Sequence, residues 1–395
     1  MAIELAPLPL PASADASKFA NFGREVIGLN PGKLTPEQLK EVQEALYKYD
    51  ALLFRNVVVT PEDQYALTKS FDPSSESYGH GNNKTQSTKA SILHPDLKTI
   101  PRVPQVQLIG NGTVYNHEGL AEAKLKHPSH ITFHKTRIPP EEELKATRYY
   151  RWHIDAALYD LNPPKVTTLY GLTVPKGESQ ICRYDDGTGD ELEVPLGTTA
   201  FVSGRTMFEM LSDEYKSLAV RSKVRYAPHP YVWMAPARAM STGLGIESEG
   251  KELTLDELPS WEESKIKVFP MTWKNPVTGN LHFQVHPCGV KELYIDPLPQ
   301  GTNRKGTLYP NGAHITDLKQ VRELLYEMQR PAISPSLVYP HDWKENDFVL
   351  FHNRGLLHTV VGAFTPDQVR AFHQCNLAAS DEPTGPSAED IQKYA

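Results

Sequence analysis

The stretch from Lys165 to Ser203 constrains the fold more than any other part of this chain. Lys165–Pro175 (KVTTLYGLTVP) is rich in β-branched and aromatic residues and reads as a strand. Strand-like segments near 180–184, 191–195 and 198–203 follow at short spacing. Between them stand Asp-Asp-Gly-Thr-Gly and Pro-Leu-Gly, turn formers whose glycines accept backbone angles other residues avoid. Short strands separated by turn signals point to an antiparallel sandwich or barrel. The last third repeats the pattern, with strands expected over Asp347–His352, Leu357–Val361 and Val369–Leu377.

Helices flank these strands. Thr35-Pro36-Glu37-Gln38 is a helix start, with a Thr cap, Pro in the first turn and Gln at the position that closes a capping box. Leu39, Val42 and Leu46 follow at helical spacing. Ala51–Val59 reads as a buried strand, and Thr60-Pro61-Glu62 opens a second helix ending near Phe71. Met207–Ala219 is expected as one inserted helix, and Asp317–Gln329 as another that buries Val321, Leu324, Leu325 and Met328. Residues 72–148, with Gly79-His80-Gly81-Asn82-Asn83 near their start, are expected to form a lid or insertion. Residues 205–265 are expected to be an irregular insertion, and the tail from Ser380 to be loose. No internal repeat divides the chain, so a single domain over 1–395 is expected.

Composition narrows the function. A formal net charge of -7 gives no basic footprint for nucleic acid. Three scattered cysteines suit a reducing compartment and exclude a disulfide framework. No apolar run approaches the roughly 18 residues that span a bilayer. Met-Ala-Ile-Glu-Leu carries no basic region followed by an apolar one, so cytosol is the expected compartment. A small-molecule partner is expected, and homo-oligomerisation stays open.

The candidate chemistry centres on Trp152-His153-Ile154-Asp155. On an extended segment, residues i and i+2 share a face, so His153 and Asp155 can grip one ion from one side. A further histidine would complete the two-histidine, one-carboxylate triad that holds non-haem Fe(II). His358 lies in an apolar strand-like run where an imidazole is expensive without a partner, and His352 is a rival in the same block. In Val369–Leu377, alternation puts Arg370, Phe372, Gln374 and Asn376 on one face, with Cys375 on the other. The guanidinium of Arg370 can hold a carboxylate by two parallel hydrogen bonds. Gln105 and Gln107 likewise share a face, opposite Val106 and Leu108.

His153-x-Asp155, His358 and Arg370, in this order and approximate spacing, resemble the Fe(II)/2-oxoglutarate-dependent dioxygenases of the TauD/TfdA superfamily. The resemblance implies a mainly β fold with flanking helices (α+β) around a double-stranded β-helix, a cupin-like jelly-roll. It also implies Fe(II) on His153, Asp155 and His358, with 2-oxoglutarate and O2 as co-substrates. Arg370 would receive the 5-carboxylate, assisted by Thr168 in preference to Thr167. That family commonly has Asp-Asn-Arg before the distal histidine, where this chain has His352-Asn353-Arg354.

A closer resemblance, to fungal xanthine dioxygenases of this superfamily, rests on Gln105-Val-Gln107-Leu-Ile-Gly-Asn-Gly, Trp152-His-Ile-Asp-Ala-Ala-Leu-Tyr159 and Gln374-Cys-Asn376. It implies hydroxylation of xanthine to urate, with substrate roles for Gln105, Gln107, Lys126, Gln374, Asn376 and an acidic pair matched to Glu141 and Glu142. It also puts Cys375 near the active site, against the alternation. Side-chain amides suit a planar purine dione, whose edges carry donors and acceptors. The same chemistry on another small metabolite, or a jelly-roll that binds without catalysis, are the other readings.

Overall fold

The structure, a computed structural model, describes residues 3–75, 98–302 and 306–395. Its largest sheet has nine strands among the described residues. Eight run in the order Glu4–Pro7, Arg24–Ile27, Ala51–Phe54, Phe348–His352, Val166–Thr173, Arg370–Asn376, Val103–His117 and Lys98–Ile100, and Leu120–Leu125 pairs with Val103–His117. Pairing is antiparallel except between Arg24–Ile27 and Ala51–Phe54. A smaller sheet joins Tyr339–His341, Thr199–Ser203 and Leu356–Val360.

Alternation along the central strands sorts side chains to two sides. Leu53, Leu169, Val349, Phe351 and Phe372 of the large sheet pack with Phe201, Tyr339 and Leu356 of the small one, so the sheets share a core. Leu52, Val166, Tyr170 and Leu350 point the other way, onto Val42, Leu46 and Leu67 of helices Pro36–Tyr49 and Pro61–Ser70. Thr35 and Gln38 form the expected capping box, and Asp50 closes the first helix in the left-handed conformation at φ 61°.

Several expectations change. The helix expected over Met207–Ala219 is two, Gly204–Met210 and Asp213–Arg221, because Ser212 caps a new start by accepting from the Tyr215 N–H. The stretch 205–265 is not merely irregular: Ser222–Tyr226 lies inside a four-stranded sheet with Val268–Pro270, Val290–Ile295 and Ala313–Ile315. In the segment expected as a lid, Val103–His117 is a 15-residue strand of the main sheet, and residues 76–97, including Gly79–Asn83, lie outside the described residues. The tail expected to be loose forms a helix, Ala388–Tyr394, with a Ser387–Asp390 capping box. It is held by Lys274 Nζ on Asp390 at 2.6 Å and by Tyr394 edge-on to Phe208. Helix Leu318–Gln329 buries Val321, Leu325 and Met328 as expected, with Leu324 only partly covered. Among the described residues no helix is long and apolar enough to cross a membrane.

Candidate active site

The segment carrying His153 adds itself to the edge of the small sheet. His153 and His358 pair antiparallel, each backbone N–H donating to the other's carbonyl at 3.0 Å. This brings the two rings together, with centroids 4.2 Å apart. Asp155 Oδ1 lies 3.8 Å from His153 Nε2 and 3.6 Å from His358 Nε2. One ligand atom from each residue falls within 4.8 Å of the other two, the one such group among the described residues.

Neighbouring groups aim the three side chains. His153 Nδ1 donates to the Arg151 carbonyl at 2.8 Å, which leaves the Nε2 lone pair on the Asp155 side. Asp155 Oδ2 accepts from Thr167 Oγ1 at 2.7 Å and from Gln374 Nε2 at 3.2 Å, so Oδ1 is the oxygen left to the imidazoles. Asn353 clamps the Asp155 backbone, accepting from its N–H at 2.8 Å and donating to its carbonyl at 2.8 Å. Burial lowers the pKa of both imidazoles, and the positive charge each would present to the other adds to the effect at His153. Burial pushes the Asp155 carboxyl up. The positive charge that His358 and His153 carry when protonated, and hydrogen bonds from Thr167 and Asn376, outweigh it and hold the group below its ordinary value. Two neutral imidazoles and one carboxylate are the protonation states a divalent ion requires, and this mixed nitrogen and oxygen set suits Fe(II). The residues therefore fit the ion that the sequence resemblance implies.

Arg370 is buried, with its guanidinium 3.9 Å above the Phe372 ring. Its Nε donates to the Gly197 carbonyl at 3.0 Å and its Nη2 to Thr199 Oγ1 at 3.3 Å. No carboxylate among the described residues pairs with it, and burial pushes its pKa down to about 9. A guanidinium enclosed this way is costly until an anion reaches it. Thr199 sits two residues before Phe201, which faces His358 across the small sheet. Arg370, on the large sheet, thus reaches the small sheet two residues along from the position paired with His358.

Thr168 is a correction. Its hydroxyl lies 3.0 Å from Thr68 Oγ1 and accepts from Gln64 Nε2 at 3.1 Å, on the helix side of the sheet. Thr167, the adjacent residue, faces the triad. His352 also drops out as a ligand: its Nδ1 donates to Asp50 at 3.2 Å and its ring packs edge-on to Tyr47. Cys375 packs with Val106, Leu108 and Ala371, away from the triad, as alternation requires.

The amides gather on one face. Gln374 pairs in register with Gln107 on the neighbouring strand, and Gln105 lies two residues further along the same side. Asn376 follows Gln374 and reaches Asp155. The charged candidates are exposed where the amides are not. Lys126 is exposed just past Leu120–Leu125. Glu141 is exposed, and Glu142 is engaged by Arg183 Nη1 at 2.9 Å. Glu143 is the inward member, 3.8 Å from His130 Nε2, with burial raising its pKa. A reverse turn at 139–146 presents this third glutamate inward. Thr199, Asn353 and Arg151 were not singled out from sequence, and only Asn353, inside His352-Asn353-Arg354, carried a signal.

Comparison with known proteins gives the family. The taurine catabolism dioxygenase TauD, TfdA family matches residues 9–376. An alpha-ketoglutarate-dependent xanthine dioxygenase of Schizosaccharomyces pombe is 52% identical over 392 residues, covering 98% of this chain and 91% of its own. Its namesake in Emericella nidulans is 51% identical over 381 residues, covering 96% and 98%. Among solved structures, a taurine dioxygenase from Burkholderia xenovorans superposes with a TM-score of 0.56 at 17% identity, over 98% of this chain and 92% of that one, a likeness of fold.

Proposed function

The chain belongs to the TauD/TfdA family of 2-oxoglutarate-dependent dioxygenases, and from that premise we propose that it hydroxylates xanthine to urate while converting 2-oxoglutarate and O2 to succinate and CO2. The observation that carries the reading is the convergence of His153, Asp155 and His358, together with a buried Arg370 that no carboxylate among the described residues pairs and that reaches the same small sheet. His153, Asp155 and His358 would hold Fe(II), which supplies the oxygen chemistry that side chains cannot perform. Arg370 and its neighbour Thr199 receive the 5-carboxylate of 2-oxoglutarate. Thr167 and Gln374 hold Asp155 Oδ2 so that the carboxylate presents one oxygen to the ion. Gln105, Gln107, Gln374 and Asn376 meet the polar edges of the purine, and a substrate lacking those edges leaves amides unpaired.

The two facing sheets support a double-stranded β-helix within one catalytic domain over 1–395. Three free, buried cysteines support a cytosolic setting. The test is direct: enzyme, Fe(II), 2-oxoglutarate and xanthine in air should yield urate, followed by its ultraviolet absorbance, in step with succinate. Succinate formed on another metabolite and no urate on xanthine would refute the substrate. Turnover undiminished in Asp155→Ala would refute the metal site.

A further inference from the structure

The buried arginines elsewhere among the described residues have partners. Buried Arg148 pairs with Asp185, Arg322 with Glu252 and Arg330 with Asp186, and Arg221 is held by carbonyl oxygens. Arg151, two residues before the first triad histidine, does not follow this pattern. Its guanidinium carbon lies 5.0 Å from the Phe133 ring, 5.3 Å from Tyr150 and 5.0 Å from Tyr231. The one polar contact of its side chain among the described residues is Nη1 to Met234 Sδ at 3.8 Å, and its Nε is buried with no acceptor. Aromatic faces stabilise a cation but leave its in-plane N–H groups unused. The residue as a whole is half-buried, so part of it reaches open space.

A chain of ring contacts links the aromatic box to the triad. Tyr231, one wall of the aromatic box, lies with its hydroxyl 3.3 Å from His286 Nε2, and the His286 ring is 6.2 Å from that of His153. His286 Nδ1 is buried without a partner among the described residues. Asp155 is thus flanked by amide groups, and the His153 side by a fixed cation with unused donors. Arg370 already accounts for the distal carboxylate of 2-oxoglutarate, and Lys126 is exposed to solvent.

We propose that Arg151 is the anion-recognising residue of the substrate site, donating from its guanidinium edge to the oxyanionic edge of a deprotonated purine dione held between it and the amides of Gln374 and Asn376. This rests on the xanthine reading above. A planar fork matches the enolate oxygen and adjacent ring nitrogen of such an anion better than a point charge does. The aromatic box fixes the fork before the ligand arrives, so little side-chain freedom is lost on binding.

The test compares wild type with Arg151→Met, which keeps the bulk in an aromatic and thioether setting, and Arg151→Lys, which keeps the charge but not the fork. Thermal melts and calorimetric titration of xanthine into the anaerobic Fe(II)–2-oxoglutarate enzyme accompany the kinetics. Arg151→Met should raise the KM for xanthine roughly ten- to a hundred-fold, leave that for 2-oxoglutarate within about two-fold, and abolish the fall in xanthine KM as the purine ionises. Arg151→Lys should fold and lie between. An unchanged xanthine KM in either variant, a 2-oxoglutarate KM that rises in parallel, or a pH trend that survives in Arg151→Met would overturn the proposal. Wild type that makes no urate would overturn the substrate reading and this inference with it, and that failure shows in the parent enzyme rather than in the variants.

Discussion

Arg370 offers a test in which stability and function should move in opposite directions. Its side chain is 2% exposed, meets no carboxylate among the described residues and has its pKa lowered by burial from 12.5 to about 9. At neutral pH the group is charged in both folded and unfolded chains, so the folded state bears the full penalty, which is relieved only as pH climbs past the folded value. At about 1.36 kcal/mol per pH unit, that penalty is roughly 5 kcal/mol. Arg370→Met removes it, retains packing on Phe372 and gives up hydrogen bonds to Gly197 and Thr199 that offset roughly 2–4 kcal/mol. The variant should therefore be about 1–3 kcal/mol more stable than wild type in urea without 2-oxoglutarate. Adding 2-oxoglutarate at a hundred times its dissociation constant should stabilise wild type by about 2.7 kcal/mol and the variant scarcely at all. Its KM for 2-oxoglutarate should rise at least a hundred-fold. A variant that is less stable than wild type, yet still stabilised by 2-oxoglutarate, would show that Arg370 is a structural cation and refute the reasoning.

The two threonines should separate cleanly. Thr167→Val removes the 2.7 Å donor to Asp155 Oδ2 and should cost about 1.5–3 kcal/mol of Fe(II) affinity, read as a ten- to hundred-fold rise in the Fe(II) concentration needed for half-maximal turnover. Thr168→Val should leave that concentration unchanged while lowering stability by about 1–2 kcal/mol, because its partners are Gln64 and Thr68; the reverse pattern would restore Thr168 to the site. Asp50 gives a pH signature. Burial raises its carboxyl from 3.8 to about 6, with His282 and Ser203 pulling against the rise. The folded state therefore binds the proton more tightly than the unfolded one. The penalty is absent below pH 3.8, grows between 3.8 and about 6 to roughly 3 kcal/mol, and stays constant above. Asp50→Asn should flatten that part of the stability–pH curve in urea titrations, and parallel curves for the two proteins would contradict it.

How far the sequence could lead depended on the range of the interaction. Thr35 and Gln38 satisfy each other within one helical turn, so their box was legible outright. The faces of Val103–His117 and Arg370–Asn376 were legible because polar and apolar residues alternate, and alternation correctly kept Cys375 away from the triad where the family resemblance had drawn it in. Thr167 and Thr168 had no such guide. Their strand is buried on both sides, so apolar residues occur at both parities and the period carries no information. What decides between them is Gln64 and Thr68, two buried polar residues on a helix far away in sequence, which give Thr168 a use outside the site. The glutamate run was not legible for a different reason: three adjacent carboxylates look alike until a turn assigns one to His130 and another to Arg183. Arg151 left no trace, since an arginine beside aromatics is ordinary in sequence. Its isolation is a property of the assembled surroundings, where no carboxylate among the described residues pairs with it. That is why the residues most informative about substrate are those whose charge the fold leaves unanswered.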